Sequence, residues 1–299
     1  YVPAWFDAFR LLAEARRSSV GLVHAHDHWR SPYARFVAGK LSIPYVVHVR
    51  GPLSAAHARK YRLAQADAVI TIAARYVDNL RAAGVSAERI HVVSDSVDLT
   101  RFAPAEPPAG RGAPDRPTTV AIVGRIDRFK RITEFVDLVA ALAPPVRDAT
   151  RFLIVGEEFE HDYAEAVRRR IRRNGLAAHI EFTGRVAAEA MPALLADIDV
   201  LVTLSGGSVM FEAMAMEAAV LSIRDDGQHS RYTIDGETAA CVDGGKAVAA
   251  LAELIASPEK RRELGRAARV LVERELSSTR IAIETDRIYS ALLGGEATR

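Results

Sequence analysis

Cysteine and long apolar runs are scarce in this chain of 299 residues. Its one cysteine, Cys241, cannot form a disulfide within the chain and is too few for a thiolate metal site. This scarcity favours a reducing, cytoplasmic compartment. No run of about 18 apolar residues occurs, so the sequence predicts no transmembrane segment. Residues 1–17 lack the basic start and continuous apolar middle of a signal peptide and predict an amphipathic helix.

A strong charge of either sign is also missing, which excludes further classes of function. Forty Lys and Arg residues face 38 Asp and Glu residues, and the formal net charge is +2. This is too little to indicate nucleic acid or an anionic membrane as the main partner. Hydrophobic residues make up 49% and charged residues 26% of the chain, so the composition is that of a globular protein and not of a disordered one.

Short β-branched runs alternate with helical stretches along the chain. The runs are VGLVH, PYVVHV, ADAVITI and IHVV in the first third, then TTVAIVG, RFLIVG, HIEFTG, DVLVTLSGG and AAVLSI. This alternation predicts an α/β fold with parallel sheets covered on both faces. Between the two groups, the segment 105–117, with Pro104, holds five of the thirteen prolines and can join neither a helix nor a central strand. We expect two domains, 1–104 and 118–275, with a linker at 105–117. A C-terminal helix at 276–299 should pack back toward the first domain.

Four of the later strand runs end in glycine, at Gly124, Gly156, Gly184 and the pair Gly206 and Gly207. In open parallel sheets, ligands bind beyond the carboxyl ends of the strands, and glycine there lets the backbone approach a ligand closely. Each glycine alone can also be a simple turn residue. Four in succession predict a ligand site at this edge.

The sequence after the last of these runs predicts an anion site. Gly207, Ser208 and Val209 lead directly into a helix, whose free N–H groups and positive dipole end suit a diphosphate. Glu212 lies one turn further and can accept hydrogen bonds from ribose hydroxyls. The alternative is a structural helix with a solvated Glu212.

A basic run follows the strand TTVAIV. Arg125 and Lys130 are expected at one rim, where two cations can neutralise the charge that grows on a leaving diphosphate. Arg128 and Arg131 belong to the same run. The alternative is a solvated basic loop, and at least one of the four cations is expected to be only that.

Two sequence patterns raise the question of a metal, and we predict none. His24, His26 and His28 alternate at a strand end, but zinc requires three protein ligands and no partner cluster stands out. Asp197 and Asp199 have the Asp-x-Asp spacing of a metal motif, but they precede their strand and are expected to form a helix-to-strand connection.

Taken together, these segments resemble family 4 of the retaining glycosyltransferases, the glycosyl transferases group 1. The likeness runs from VHAHDHW through PYVVHVRG, ADAVITI and VDLTRF to GRIDRFKR, LIVGE, EFTGRV, GGSVMFEAMA and DGETAACV. It implies two facing Rossmann-like domains (the GT-B fold) and transfer of a sugar from a nucleotide diphosphate sugar with retention of configuration. No metal or further cofactor is implied. Arg125 and Lys130 would hold the diphosphate, Gly124, Gly156, Gly184, Gly207, Ser208 and Val209 would line the donor site, and Glu212 would bind the ribose.

The chain departs from the family pattern at several positions. Leu204 stands where the family has the first glutamate of its paired-glutamate motif, and Arg50 stands at the position of a first-domain histidine. Arg50 is therefore a third catalytic candidate, able to bind donor phosphate or acceptor. Asp95 with Ser96, and Arg231, are further departures. The resemblance also implies a shortened first domain, whose family counterpart begins upstream of Tyr1.

These observations leave three functions open. The first is a sugar-nucleotide-dependent transferase acting on a saccharide, lipid-linked or small-molecule acceptor. The second is a non-catalytic relative that binds a nucleotide or a partner protein, motivated by Leu204 and Arg50. The third is an isomerase or hydrolase of sugar nucleotides on the same scaffold.

Overall fold

A computed structural model of the chain describes residues 2–104, 116–226 and 230–294, with side chains described from residue 7. The strands are β1 (Val23–Ala25), β2 (Tyr45–Val49), β3 (Ala68–Thr71), β4 (Ile90–Val92), β5 (Thr118–Val123), β6 (Thr150–Val155), β7 (Ile180–Gly184), β8 (Val200–Thr203), β9 (Ala219–Ile223) and β10 (Ala240–Val242). The helices are α1 (Val2–Arg17), α2 (Ser31–Leu41), α3 (Ala55–Lys60), α4 (Val77–Ala82), α5 (Ile132–Ala140), α6 (Pro144–Asp148), α7 (His161–Arg173), α8 (Met191–Asp197), α9 (Ser208–Ala215), α10 (Ala247–Ala256), α11 (Pro258–Glu275) and α12 (Ser278–Leu292).

The chain forms two compact units. The N-terminal unit comprises residues 1–95 together with 279–299, and the C-terminal unit comprises residues 96–278. Most of the predicted linker, residues 105–115, lies outside the described residues, and the predicted domain boundaries stay predictions. Within the described parts of the chain, no helix has both the length and the apolar character required to cross a bilayer.

The N-terminal unit is built on a parallel sheet of order β1-β2-β3-β4. One face of this sheet packs on α2, α3 and α4 through Val47, Val69 and Leu80. The other face packs on α12, where Val46 and Ile70 contact Ile288. Because both faces are buried, the strands are nearly continuous apolar runs, as expected for a parallel sheet.

The C-terminal unit contains a parallel sheet of order β10-β9-β8-β5-β6-β7. Counted from β5, this is the doubly wound order in which two halves run outward from a central pair of strands. Val120, Ile122 and Ile154 point to the face covered by α5, α7 and α10, whereas Ala121 and Leu153 point to the face covered by α8, α9 and α11. The predicted α/β fold with two parallel-sheet domains is confirmed.

The C-terminal unit begins and ends at neighbouring backbone segments. The Val97 N–H donates to the Leu276 carbonyl at 2.8 Å, and the Ser278 N–H donates to the Val97 carbonyl at 3.0 Å. Val97 and Ser277 form an isolated parallel bridge. The two points at which the chain enters and leaves this unit therefore lie side by side.

Candidate functional site

The centre of the C-terminal sheet is where its strand order reverses. β5 and β8 are neighbours in the sheet, although four α-helices and two strands separate them in sequence. In doubly wound sheets, the connections that leave two such strands run to opposite faces and open a crevice at their carboxyl ends. Gly124 follows β5, and the Gly206-Gly207 pair follows β8, so both predicted glycine turns lie at this crevice.

Gly124 and Gly156 have backbone conformations that no other residue adopts without strain. Their φ angles are +148° and +143°. A Cβ atom built on Gly156 would lie 1.9 Å from the Gly124 carbonyl oxygen, and one built on Gly124 would lie 2.6 Å from Cε of Lys130. The Gly156 N–H in turn donates to the Gly184 carbonyl at 3.0 Å. The turns after three adjacent strands are therefore packed backbone to backbone.

Lys130 reaches across the crevice from the β5 side to the β8 side. It ends a short 3₁₀ turn, Arg128–Lys130, whose N-cap Asp127 accepts a hydrogen bond from the Lys130 backbone N–H at 3.1 Å. Its Nζ donates to the Gly206 carbonyl at 3.3 Å. Burial lowers the pKa of Lys130, while the nearby Asp127 carboxylate opposes that shift. The ammonium group is thus held, largely desolvated, beside the glycine turn that precedes α9.

Arg125 is the second cation at this edge. Its guanidinium lies 3.2 Å from the Asp127 carboxylate and 4.3 Å from the ring centroid of Phe159. The side chain is 54% exposed, so the charge faces solvent while one partner on each side limits its movement. A cation stacked on an aromatic ring is held in place without being neutralised.

The other two cations of the basic run are engaged elsewhere. Arg128 pairs with Glu160, and Arg131 pairs with Glu134 and, at 3.3 Å, with Asp225. Of the four cations, Lys130 thus reaches the glycine turn before α9, whereas the three arginines each form an ion pair with an acidic side chain.

The start of α9 presents backbone N–H groups that have no acceptor within the helix. Gly207 is its N-cap, with φ +119°, and no side chain caps the helix there. The Thr203 hydroxyl accepts the Gly206 N–H at 2.9 Å, which fixes the turn. The N–H groups of Ser208 and Val209 belong to the first turn of the helix, where intrahelical acceptors are missing. Free N–H groups and a lysine ammonium at one place form an anion-binding arrangement.

Glu212 and Leu204 differ in what they offer to a ligand. Glu212 is half-buried on α9, where burial raises its pKa and the charge of Arg101 opposes that shift. Leu204 is 4% exposed and packs in the core formed with Val202 and Leu221. The position that carries a glutamate in the family therefore faces the interior of this unit. Leu204 therefore offers no polar group to a ligand.

Arg50 belongs to the N-terminal unit, apart from the other two catalytic candidates. It follows β2, and its guanidinium donates to the Asp95 carboxylate at 2.8 Å. Asp95 replaces an asparagine of the family pattern, so two departures from that pattern contact each other. Asp197 and Asp199 also have cationic partners, since Arg116 binds both carboxylates at 2.9 and 2.6 Å.

The histidines at the carboxyl end of β1 have a neighbour in the structure that sequence reasoning missed. His48 lies in β2, and its ring is 5.5 Å from that of His24 between centroids, nearly parallel to it. Burial, with the charges of neighbouring residues, lowers the pKa of His24 and of His48 to about 4. Both imidazoles are therefore neutral at pH 7. The expectation that no cluster accompanies His24 and His26 is wrong.

Two family models match consecutive parts of the chain. The model for glycosyl transferases group 1 matches residues 106–271, and the model for glycosyltransferase family 4 matches residues 1–101. The chain belongs to the glycosyl transferases group 1 family. The resemblance inferred from the sequence is thereby confirmed.

Two curated relatives of the chain come from Mycolicibacterium smegmatis. An α-maltose-1-phosphate synthase is 31% identical over 247 residues, which cover 75% of this chain and 63% of the relative. A GDP-mannose-dependent α-(1-6)-phosphatidylinositol monomannoside mannosyltransferase is 30% identical over 225 residues, which cover 67% of this chain and 56% of the relative. The matched parts thus span less than two thirds of either relative.

Solved structures show the same fold. HepE from Anabaena, in complex with UDP and glucose, matches with a TM-score of 0.79 at 18% identity, over 95% of this chain and 82% of HepE. Sucrose-phosphate synthase from Thermosynechococcus elongatus matches with a TM-score of 0.79 at 21% identity, over 98% of this chain and 78% of that enzyme. Together with the two parallel sheets, these matches confirm the GT-B fold with two Rossmann-like domains.

Proposed function

We propose that the C-terminal unit binds the diphosphate of a nucleotide sugar and that the chain transfers the sugar to an acceptor with retention of configuration. The observation that carries the proposal is the desolvated Lys130 ammonium beside the Gly206-Gly207 turn, at the start of α9. Anions bind at helix N-termini, and a partly buried cation there adds attraction that water screens less than at the surface. The Anabaena relative of the same fold is described with UDP and glucose.

In this proposal, Lys130 and Arg125 stabilise the charge that develops on the leaving diphosphate. Fixed cations aimed at developing charge are among the largest contributions to catalysis. Because these two cations supply that stabilisation, no metal ion is needed at the diphosphate. Gly124 and Gly156 allow the close packing that shapes the turns, Gly184 leaves open space for a ligand at its strand end, and Glu212 accepts from the ribose hydroxyls. Arg50 would bind donor phosphate or acceptor.

A non-catalytic nucleotide-binding protein is the second candidate. The core position of Leu204 favours it, since the carboxylate that the family pattern places there is missing. The two candidates predict the same nucleotide binding but different turnover.

Calorimetry with UDP, GDP and ADP, followed by incubation with the matching sugar nucleotides, tests both. We expect one diphosphate to bind saturably and to be released from its sugar nucleotide. The α- or β-anomeric product should keep the configuration of the donor. Binding of a nucleoside diphosphate without any release from its sugar nucleotide would indicate the non-catalytic function. A returned donor with an altered sugar would indicate an isomerase. No binding of any nucleoside diphosphate would refute the proposal.

A further inference from the structure

Three histidines of the N-terminal unit lie at the carboxyl ends of β1 and β2. In the parallel pairing of these strands, His24 lies opposite Val46 and Ala25 lies opposite Val47. Continuing the same register by one residue places His26 opposite His48. Side chains two apart on a strand point to the same face. The pairing therefore directs all three imidazoles to one side of the sheet.

The three side chains are close enough to share one ion. One ligand nitrogen from each of His24, His26 and His48 lies within 4.8 Å of the other two. Nitrogens bound to a single tetrahedral zinc ion are about 3.3 Å apart, given Zn–N bonds of about 2.0 to 2.1 Å. The ring of His24 stacks on those of His26 and His48, with interplanar angles of 18° and 16°, so the rings must rotate on binding to direct their in-plane lone pairs at one ion. His26 is exposed and free to do so, whereas the other two are partly buried.

Nitrogen atoms of the two buried imidazoles have no protein partner. Within the described residues, Nε2 of His24 and both ring nitrogens of His48 are buried without a hydrogen bond. Leaving buried polar atoms unsatisfied is unfavourable, and native structures do so rarely. A metal ion bound by one nitrogen from each ring would satisfy His24 fully and half of His48.

Tyr289 of α12 fixes the orientation of the first ligand. Its hydroxyl forms a hydrogen bond with Nδ1 of His24, so Nε2 is the nitrogen of this ring that a metal ion can take. Metal-binding histidines usually make such a bond through their second nitrogen. The charge of Arg50 contributes to the lowered pKa of His24 and His48, and Asp95, at 2.8 Å from the Arg50 guanidinium, offsets part of that charge.

We propose that His24, His26 and His48 form a binding site for a divalent transition-metal ion, with Zn²⁺ as its representative. Imidazole nitrogen suits Zn²⁺, Cu²⁺ and Ni²⁺, whereas Mg²⁺ and Ca²⁺ require oxygen ligands. Three histidine ligands leave a fourth position open to water or another ligand. This site lies entirely in the N-terminal unit and does not depend on the nucleotide function proposed for the C-terminal unit.

Zinc titration of the full chain tests the proposal. The protein is prepared without a histidine tag, treated with EDTA and dialysed, then titrated with ZnCl₂ by calorimetry and melted with and without zinc. One Zn²⁺ should bind per chain and raise the Tm, and MgCl₂ should do neither. His48→Ala should abolish saturable binding, and His57→Ala, which removes an exposed histidine outside the cluster, should leave it unchanged.

A positioning variant distinguishes a built site from incidental binding to surface histidines. Tyr289→Phe keeps the ring but removes the hydrogen bond to His24, and should weaken zinc binding about 10- to 100-fold. If His48→Ala does not fold, His48→Gln keeps a polar side chain of similar size and should lose binding in the same way. Absence of saturable zinc binding, or His48 variants that bind zinc like the parent chain, would overturn the proposal.

Discussion

Removing the charge of Lys130 tests the candidate donor site most directly. Lys130→Met keeps the aliphatic stem, whose Cε lies against Gly124, and removes only the ammonium beside the Gly206 carbonyl. Losing one member of a buried charge pair costs about 2 to 5 kcal/mol. At about 1.4 kcal/mol per factor of ten, this corresponds to a loss of roughly 30- to 5,000-fold in affinity for the nucleoside diphosphate.

The same substitution should not weaken the ligand-free protein. Burial lowers the pKa of Lys130, which means that the folded chain disfavours the charged form relative to the unfolded chain. Removing that charge should leave the Tm without ligand unchanged or raise it. If the Lys130 charge lowers the stability of the folded chain but raises its affinity for the diphosphate, its role is ligand binding.

The measurement is calorimetric titration of parent and variant with the diphosphate that binds best, beside thermal melting without ligand. Arg128→Ala is the matched control, because Arg128 belongs to the same basic run but pairs with Glu160 on the surface. It should change affinity by less than about threefold, as expected for exposed ion pairs. Equal affinity of Lys130→Met and parent chain, or a large loss of Tm in Lys130→Met, would refute the reasoning.

Four further predictions follow from the same geometry. Nucleotide binding should weaken as pH rises through the lowered pKa of Lys130, below the range expected for an ordinary lysine; affinity measured at increasing pH that stays constant until that ordinary range would contradict this. Nucleotide binding should persist in EDTA, since no metal is assigned to the diphosphate; loss in EDTA that magnesium restores would contradict it. In urea titrations, Gly156→Ala should destabilise more than Gly175→Ala, because both have positive φ, which costs about 1 to 2 kcal/mol, but only Gly156 also meets a carbonyl oxygen, that of Gly124; equal losses would argue against the close packing. Leu204→Glu should lower the free energy of unfolding by at least about 2 kcal/mol, whereas Leu204→Met should change it by less than about 1.5 kcal/mol. A Leu204→Glu chain as stable as the parent would show that this side chain does not face the core.

The strands and the glycine turns at their carboxyl ends could be predicted from the sequence because both follow from local signals. β-branched runs such as TTVAIV mark buried strands, and a glycine directly after a run marks a turn at its carboxyl end. The direction of Leu204 could not be predicted, because it directly follows β8, which is buried on both faces and lacks the polar alternation that identifies an exposed side.

Contacts that depend on strand register also escaped prediction. His48 meets His24 only because β1 and β2 pair with Val46 opposite His24, and a shift of one residue would turn one set of side chains to the other face. Lys130 and Gly206 are 76 residues apart in sequence, and their contact depends on β5 and β8 being neighbours in the sheet. Residue types identified candidate site residues, but strand pairing across the whole sheet determined which of these residues contact each other.

The first and last residues of the C-terminal unit lie side by side, as in a domain that is inserted into the sequence of another, here the N-terminal unit. Because Val97 bonds to Leu276 and Ser278 bonds to Val97, cutting the chain outside these residues leaves two paired ends rather than loose tails. Chain segments whose ends are adjacent tolerate excision and circular permutation. We therefore expect residues 96–278 to fold when expressed as a separate protein.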